Sequence, residues 1–185
     1  MNHFSRILGL ALAGPLLLCF SAPETPPPDT AREVEGTLRR YFEAMGTRDV
    51  PALRSVLDQR FVAIEADREK ARTEVVDTSD PKALLPPEGN DDWDASTLRL
   101  SNFRVEVSAT HPSVATASFT LSFLLDDERV AQLRKTLDEH AAGLGETEKA
   151  ALTRMAADRA VANAMFALLA KRDGRWRIVC LSFPK

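Results

Sequence analysis

The C-terminal stretch, residues 160–183, constrains the fold of this chain more than any other part of its sequence. Two apolar runs flank the turn-like tetrapeptide Arg172-Asp173-Gly174-Arg175. An Asp-Gly pair between strand-like runs predicts a β-hairpin, because glycine tolerates the positive φ that a tight turn requires. The second run is predicted to alternate between two strand faces: Trp176, Ile178 and Cys180 on one, and Arg177, Val179 and Leu181 on the other. Since an isolated hairpin is marginal in water, a larger sheet or helices must cover this one.

The composition is that of a folded domain. A chain of 185 residues with 44% hydrophobic and 28% charged residues can bury one hydrophobic core. The formal net charge is −3, and no run of lysine and arginine forms the basic footprint of a nucleic-acid-binding protein. We therefore expect one globular domain and no nucleic-acid partner.

Residues 1–21 have the pattern of a signal peptide. Arg6 precedes an apolar run at residues 7–20, which is short for a membrane span and typical of a signal-peptide core. Ser21 and Ala22 are small, as a cleavage site requires. The expected location is secreted or periplasmic, with no membrane contact beyond the export signal. Two alternatives remain open, an uncleaved anchor and a lipoprotein acylated at Cys19.

The domain is predicted to begin after a proline-rich linker at residues 22–31 and to occupy residues 32–185. A first helix is expected from Asp29 or Thr30 to Gly46, because apolar residues recur at three- and four-residue spacing. These residues are Val34, Leu38, Tyr41, Phe42 and Met45. Asp49 is positioned to cap a second, short helix that carries Leu53.

The middle of the chain alternates as strands do. A short strand is predicted at residues 61–66, then a polar loop at 77–96 with one helical turn near residues 82–85. A strand resumes at Thr97, and a slip in its alternation near Ser101-Asn102 predicts a bulge. Residues 114–125 form the clearest alternating strand of the chain.

Residues 126–157 interrupt the strand series with a pattern that predicts an inserted helical hairpin. Its two apolar stripes are Val130, Leu133 and Leu137, and Leu152 with Met155, and Thr147 is expected to cap the second helix. The stripes must be covered by each other, by the outer face of the sheet or by a second subunit. We predict that this arm contributes to a homodimer contact.

This order of elements resembles the NTF2-like superfamily, in its SnoaL-like and ketosteroid-isomerase-like branches. The resemblance is carried by residues 40–45 with Asp49, Leu53 and Leu57, and by residues 171–179. It implies an α+β cone, in which a curved antiparallel sheet wraps around the N-terminal helices and leaves a pocket at its open end. The superfamily includes isomerases, cyclases, dehydratases, ligand-binding domains and interaction modules, so the fold does not determine the activity.

The same resemblance implies candidate pocket residues. The ketosteroid-isomerase-like branch has a tyrosine in its first helix and a carboxylate base at the end of its first strand, and Tyr41 and Glu65 fall on these positions. A desolvated carboxylate has a raised pKa and can act as a base near neutral pH, while a phenol can donate to an enolate oxygen. The branch's second, acidic donor has no match, and Asn163 could partly replace it. Trp93 is a candidate lid.

Each candidate also has a purely structural interpretation. Tyr41 could be a core aromatic, Glu65 a solvent-facing strand residue, Asn163 an ordinary strand residue and Trp93 a shield against solvent. We predict that Glu65 and Tyr41 approach within water-bridged reach and that the pKa of Glu65 lies above that of an exposed glutamate.

No metal and no cofactor is expected. The three histidines, His3, His111 and His140, are far apart in the sequence, and the acidic run at residues 90–94 lacks the glycine and glutamate of a calcium loop. The leading functional hypothesis is an exported module that binds a small, mostly apolar ligand. The alternatives are an isomerase or dehydratase that uses a pocket carboxylate, and an interaction module whose pocket is filled by its own side chains.

Signal-peptide cleavage is directly testable. N-terminal sequencing of the exported protein should start near Ala22 or Pro23, because the small residues Ser21 and Ala22 follow the apolar run. A mature chain that begins with a lipid-modified Cys19 would show membrane anchoring instead.

Overall fold

A computed structural model describes residues 28–66, 71–85, 97–140 and 142–184 of the chain. The helices are α1 (Pro28–Gly46), α2 (Val50–Val56), α3 (Pro81–Leu84), α4 (Asp127–His140) and α5 (Glu146–Asp158). The strands are β1 (Leu57–Ala66), β2 (Ala71–Val75), β3 (Leu98–Val107), β4 (Val114–Leu124), β5 (Ala160–Arg172) and β6 (Arg175–Pro184).

The six strands form one curved, unclosed sheet in the order β2-β1-β6-β5-β4-β3. All neighbouring strands are antiparallel except β1 and β6, which are parallel. The helices α1 and α2 pack on one face, called the interior face from here on. The predicted α+β cone with a helical-hairpin insertion is therefore confirmed.

The first helix buries the stripe that the sequence predicts. Val34, Leu38, Tyr41, Phe42 and Met45 are all buried in the core. They meet Phe119 and Leu169 of the sheet within the same hydrophobic cluster. The helix ends at Gly46, and the Asp49 carboxylate accepts a hydrogen bond from the backbone N–H of Ala52, so the predicted cap of α2 is confirmed.

The predicted turn and the predicted bulge are both present. Asp173 and Gly174 have φ values of 49° and 77°, as the two central residues of a tight hairpin turn require. In β3 the register with β4 shifts between Ser101 and Arg104, and Asn102 has a φ of 56°. The bulge bends β3 at the edge of the sheet.

The predicted alternation of β6 is wrong beyond Ile178. Leu168 pairs with Cys180 and Leu169 pairs with Ile178, so Val179 is an extra residue on β6. A strand bulge of this kind exchanges the faces of the residues that follow it. Leu181, with 0% exposure, therefore joins the core, whereas Cys180 is half-buried outside it.

Strand β2 was not expected from the sequence. Residues 67–80 are polar enough to suggest a loop, but Ala71–Val75 pairs with the second half of β1 at the edge of the sheet. An edge strand buries little, and Val75 is 71% exposed. The described side chains of β2, residues 73–75, are all exposed, so no buried apolar residue identifies this strand in the sequence.

The inserted arm consists of α4 and α5, which pack against each other. Val130 and Ala156 are buried, and an ion pair between Arg159 and Asp127 joins the two ends of the arm. The expected cap at Thr147 is wrong, because Gly145 is the N-cap and its N–H donates to the Glu148 carboxylate. Among the described helices, none combines the length and apolarity that crossing a bilayer requires.

The bulge in β6 gives a stability prediction. Leu181→Ala should lower the free energy of unfolding by about 2–5 kcal/mol, because it opens a cavity in the core. Cys180→Ala should cost less than about 1 kcal/mol, because Cys180 lies outside the core. Denaturant unfolding of both variants measures the difference. Equal costs, or a larger cost at Cys180, would contradict the observed register.

Candidate functional site

One end of the interior face combines apolar side chains with a single amide. Across the sheet, Leu100 pairs with Leu121, and Leu121 pairs with Asn163. In the next row, Leu98 pairs with Phe123. Leu98 and Leu121 are buried, whereas Leu100 and Phe123 are only partly buried against the core. These five residues form what we call the Asn163 wall.

Asn163 lies on the interior face of β5. It shares its strand face with the buried residues Met165 and Ala167, and its own side chain is half-buried. No hydrogen bond joins its amide to another of the described residues. An amide has two donor hydrogens and an acceptor oxygen, so Asn163 offers polar groups inside an otherwise apolar wall.

Tyr41 lies on the opposite side of the interior, on α1. It is 4% exposed, and its ring centroid lies 5.0 Å from that of Phe42 and 6.3 Å from that of Phe61. The ring centroid of Phe42 in turn lies 5.9 Å from that of Phe119, one row from Asn163 on the interior face. Tyr41 makes no hydrogen bond with a described residue. Burial raises the pKa of Tyr41 well above its usual value, because desolvation penalises the phenolate.

The position of Glu65 is described by its backbone alone. Its Cα lies opposite Arg72 in β2 and opposite Phe183 in β6, near the end of β1. The side chain of Glu65 lies outside the described part of the structure, and so does the whole of Trp93. The predicted approach of Glu65 to Tyr41, its raised pKa and the lid role of Trp93 therefore stay predictions.

The structure thus places Tyr41 and Asn163 on two walls of one interior. The resemblance described above points to both, Tyr41 as the first-helix tyrosine and Asn163 as a partial replacement for the missing second donor. Sequence reasoning missed the apolar residues around Asn163, since their pairing depends on the register of three strands. Among the described residues, no group of three or more histidine, cysteine, aspartate or glutamate side chains could hold a metal ion.

Two open cavities lie elsewhere, on either side of the turn between β5 and β6. One, of about 640 Å³, is lined by residues that include Arg54, Arg172 and Arg177. The other, of about 460 Å³, is lined by residues that include Glu33, Arg40 and Trp176. Neither is lined by Tyr41 or Asn163. The residues that line these cavities come from distant parts of the chain, so no local sequence pattern predicts either cavity.

The second cavity contains a structural network. Glu33 accepts a hydrogen bond from the Trp176 indole N–H at 3.1 Å and another from the Lys171 ammonium at 3.2 Å. The Lys171 ammonium also lies 5.7 Å from the centre of the Trp176 ring. These contacts fasten the C-terminal hairpin to α1, and the Trp176 ring is buried in the core.

The chain is similar in structure to NTF2-like proteins, as the sequence pattern predicts. One is an NTF2-like protein of unknown function from Pseudomonas putida, at 12% identity and a TM-score of 0.47, covering 84% of this chain and 86% of that one. Another, from Shewanella baltica, has 12% identity and a TM-score of 0.45, with 85% and 94% covered. A protein with a cystatin-like fold from Nostoc punctiforme has 9% identity and a TM-score of 0.48, with 85% and 92% covered.

No protein-family model matches the sequence, and no curated protein is significantly similar to it.

Tyr41 is the only tyrosine of the chain, so its titration is directly observable. The folded protein should form no tyrosinate at about pH 10, whereas the denatured chain should titrate there. Folding raises the pKa of Tyr41, so the contribution of the protonated phenol to the free energy of unfolding is complete below about pH 10. It is lost as the pH rises through the pKa that Tyr41 has in the folded protein. Tyrosinate absorbance as a function of pH measures the titration of Tyr41 in both the folded and the denatured protein.

Tyr41→Phe is the matched variant for this titration. It should show a smaller loss of stability above about pH 10 than the wild type. A tyrosinate midpoint near the ordinary value in the folded protein would mean that Tyr41 is accessible to solvent.

Proposed function

We propose that this protein is an exported module that binds a small, mostly apolar molecule in the interior of its sheet. The observation that carries the proposal is Asn163, a half-buried amide with no hydrogen-bond partner among the described residues. Among the described residues no fully buried polar side-chain atom is unpaired, so solvent reaches the Asn163 amide, and a ligand with one complementary polar group would replace that water.

The apolar side chains around Asn163 favour a ligand that is mostly apolar. Leu100, Phe123 and Phe183 are partly buried side chains packed against the core, so each retains some apolar surface that a ligand could cover. Burial contributes roughly 25 cal/mol for each Å² of apolar surface removed from water. A molecule that is mostly apolar, with one donor or acceptor for Asn163, fits this combination.

Tyr41 gives specific support to an enzymatic alternative. Its phenol is protonated near neutral pH and makes no hydrogen bond with a described residue, so its hydroxyl can donate to a carbonyl or enolate oxygen. An isomerase or dehydratase would additionally need Glu65 as a base in the interior. Carbon-detected NMR of the Glu65 carboxylate tests this: a raised pKa supports the enzyme, and an ordinary pKa leaves a binding module.

The inserted arm supports the proposal of a homodimer. Leu133, Leu137, Leu152 and Met155 are only half-buried within the arm, so their apolar surface is not fully covered in one chain. Sedimentation measures whether the arm forms the dimer contact. It compares the wild type with a variant in which a short Gly-containing turn replaces residues 128–155. A dimer that becomes a monomer supports the role of the arm, and a monomeric wild type contradicts it.

Ligand binding can be tested with a neutral fluorescent probe, N-phenyl-1-naphthylamine, which is apolar and carries one N–H donor. The wild type should bind it saturably. Asn163→Ala should weaken binding by about two- to tenfold, the effect of one hydrogen bond. Asn163→Trp should abolish binding, because the larger ring would occupy the space in front of the wall.

Ala162→Trp is the matched control, since Ala162 is the adjacent residue on the opposite, exposed face of β5. It adds the same ring outside the interior and should leave binding unchanged. The absence of saturable binding would favour an interaction module with a filled interior. An equal loss in both tryptophan variants would place the probe outside the interior.

A further inference from the structure

Three arginines converge on the larger open cavity, far apart in sequence but adjacent in space. Arg54 comes from the last turn of α2, Arg172 from the end of β5 and Arg177 from β6. The rest of the lining is Leu57, Asp58, Gln59, Thr78, Ser79 and Asp173. We call this cavity of about 640 Å³ the arginine groove.

Backbone carbonyls hold two of the three guanidinium groups in place. One terminal nitrogen of Arg177 donates to the carbonyl oxygens of Arg54 and Ser55, at 3.0 and 2.7 Å. Arg54 donates to the carbonyl oxygen of Thr78 at 2.9 Å and to that of Ser79. A guanidinium has five N–H donors, so both groups retain donors after these bonds.

These bonds do not neutralise the positive charges of Arg54 and Arg177, because a carbonyl is neutral. Among the described residues, no carboxylate lies within ion-pair distance of Arg54 or Arg177. Arg172 does have a partner, since its Nε donates to Asp58 at 3.3 Å, but its two terminal nitrogens remain free of described partners. The groove therefore presents charged hydrogen-bond donors that are already held in position before an anion binds.

Three carboxylates oppose an anion at this place. Asp58 lines the groove and pairs with Arg172, and two further carboxylates lie beside it. Asp173 lines the groove from the turn between β5 and β6. Asp77 stands nearby, where hydrogen bonds from the Ser79 hydroxyl and backbone N–H, with a small contribution from the charge of Arg54, hold its pKa below the usual value. Both are exposed, so solvent screens them, and attraction must come from close hydrogen bonds rather than from net charge.

We propose that the arginine groove binds the oxyanion group, phosphate or carboxylate, of a small molecule. The remaining donors of Arg54, Arg172 and Arg177 provide the charge-assisted hydrogen bonds that planar, forked guanidinium groups make with such oxygens. The Thr78 hydroxyl and the Gln59 amide have no partner among the described residues and can complete the site. The volume suits a small metabolite. This site is separate from the interior and does not depend on the ligand proposed there.

Calorimetric titration of the exported chain with inorganic pyrophosphate and with citrate tests the proposal at low ionic strength. At least one of them should bind saturably, with a dissociation constant below about 1 mM. Tighter binding of pyrophosphate assigns the site to a phosphate group, and tighter binding of citrate assigns it to a carboxylate.

Three variants separate a specific site from general charge attraction. Arg172→Gln should weaken binding by about tenfold, because it removes free donors and releases the Asp58 carboxylate. Asp173→Asn should strengthen binding by about two- to threefold, because it removes an opposing charge while asparagine accepts the positive φ of this position. Arg175→Gln removes the same charge from the same turn outside the groove, and should change binding less than twofold.

Circular dichroism of each variant confirms that the fold is retained before binding is compared. The proposal is overturned if neither anion binds saturably with a dissociation constant below about 1 mM. It is equally overturned if Arg175→Gln weakens binding as much as Arg172→Gln, since that pattern means diffuse attraction to a basic surface.

Discussion

The structure depends on burying one face of α1 against a sheet that curves around it. Val34 and Leu38 near its start, and Tyr41 and Phe42 near its middle, all lie in the same core as the interior residues of β4, β5 and β6. A flat sheet could contact only a narrow line along the helix, whereas a curved one encloses it. The Trp176 and Lys171 contacts to Glu33 then fix the C-terminal hairpin against the start of the helix.

Irregularities in the strands make this curvature compatible with the core. The bulge at Asn102 bends β3 at the sheet edge, and the extra residue at Val179 changes which side chains of β6 face inward. Because of the second bulge, Ile178 and Leu181 both reach the core although they are three residues apart. The interior therefore receives a continuous apolar lining, interrupted on β5 by the amide of Asn163.

Most of the architecture follows from local patterns in the sequence. The stripe of α1, the cap at Asp49, the bulge near Asn102 and the Asp173-Gly174 turn were all predicted, because neighbouring residues determine each of them. The bulge in β6 was not predicted, since it shows only in the pairing of β6 with β5. Strand β2 was not predicted either, since its exposed position at the sheet edge gives it no buried apolar face. For the site, the sequence identified Tyr41 and Asn163 individually, but the Asn163 wall and the arginine groove depend on contacts between distant strands.

The central claim is that the interior holds a small apolar ligand beside Asn163. Native mass spectrometry of the protein purified from its natural source tests this claim most directly. The account predicts a non-covalent adduct of a small, mostly apolar molecule, which dissociates on denaturation and is absent from Asn163→Trp. A wild-type protein that carries no adduct, and gains none when incubated with an extract of small apolar molecules from its source, would contradict the claim.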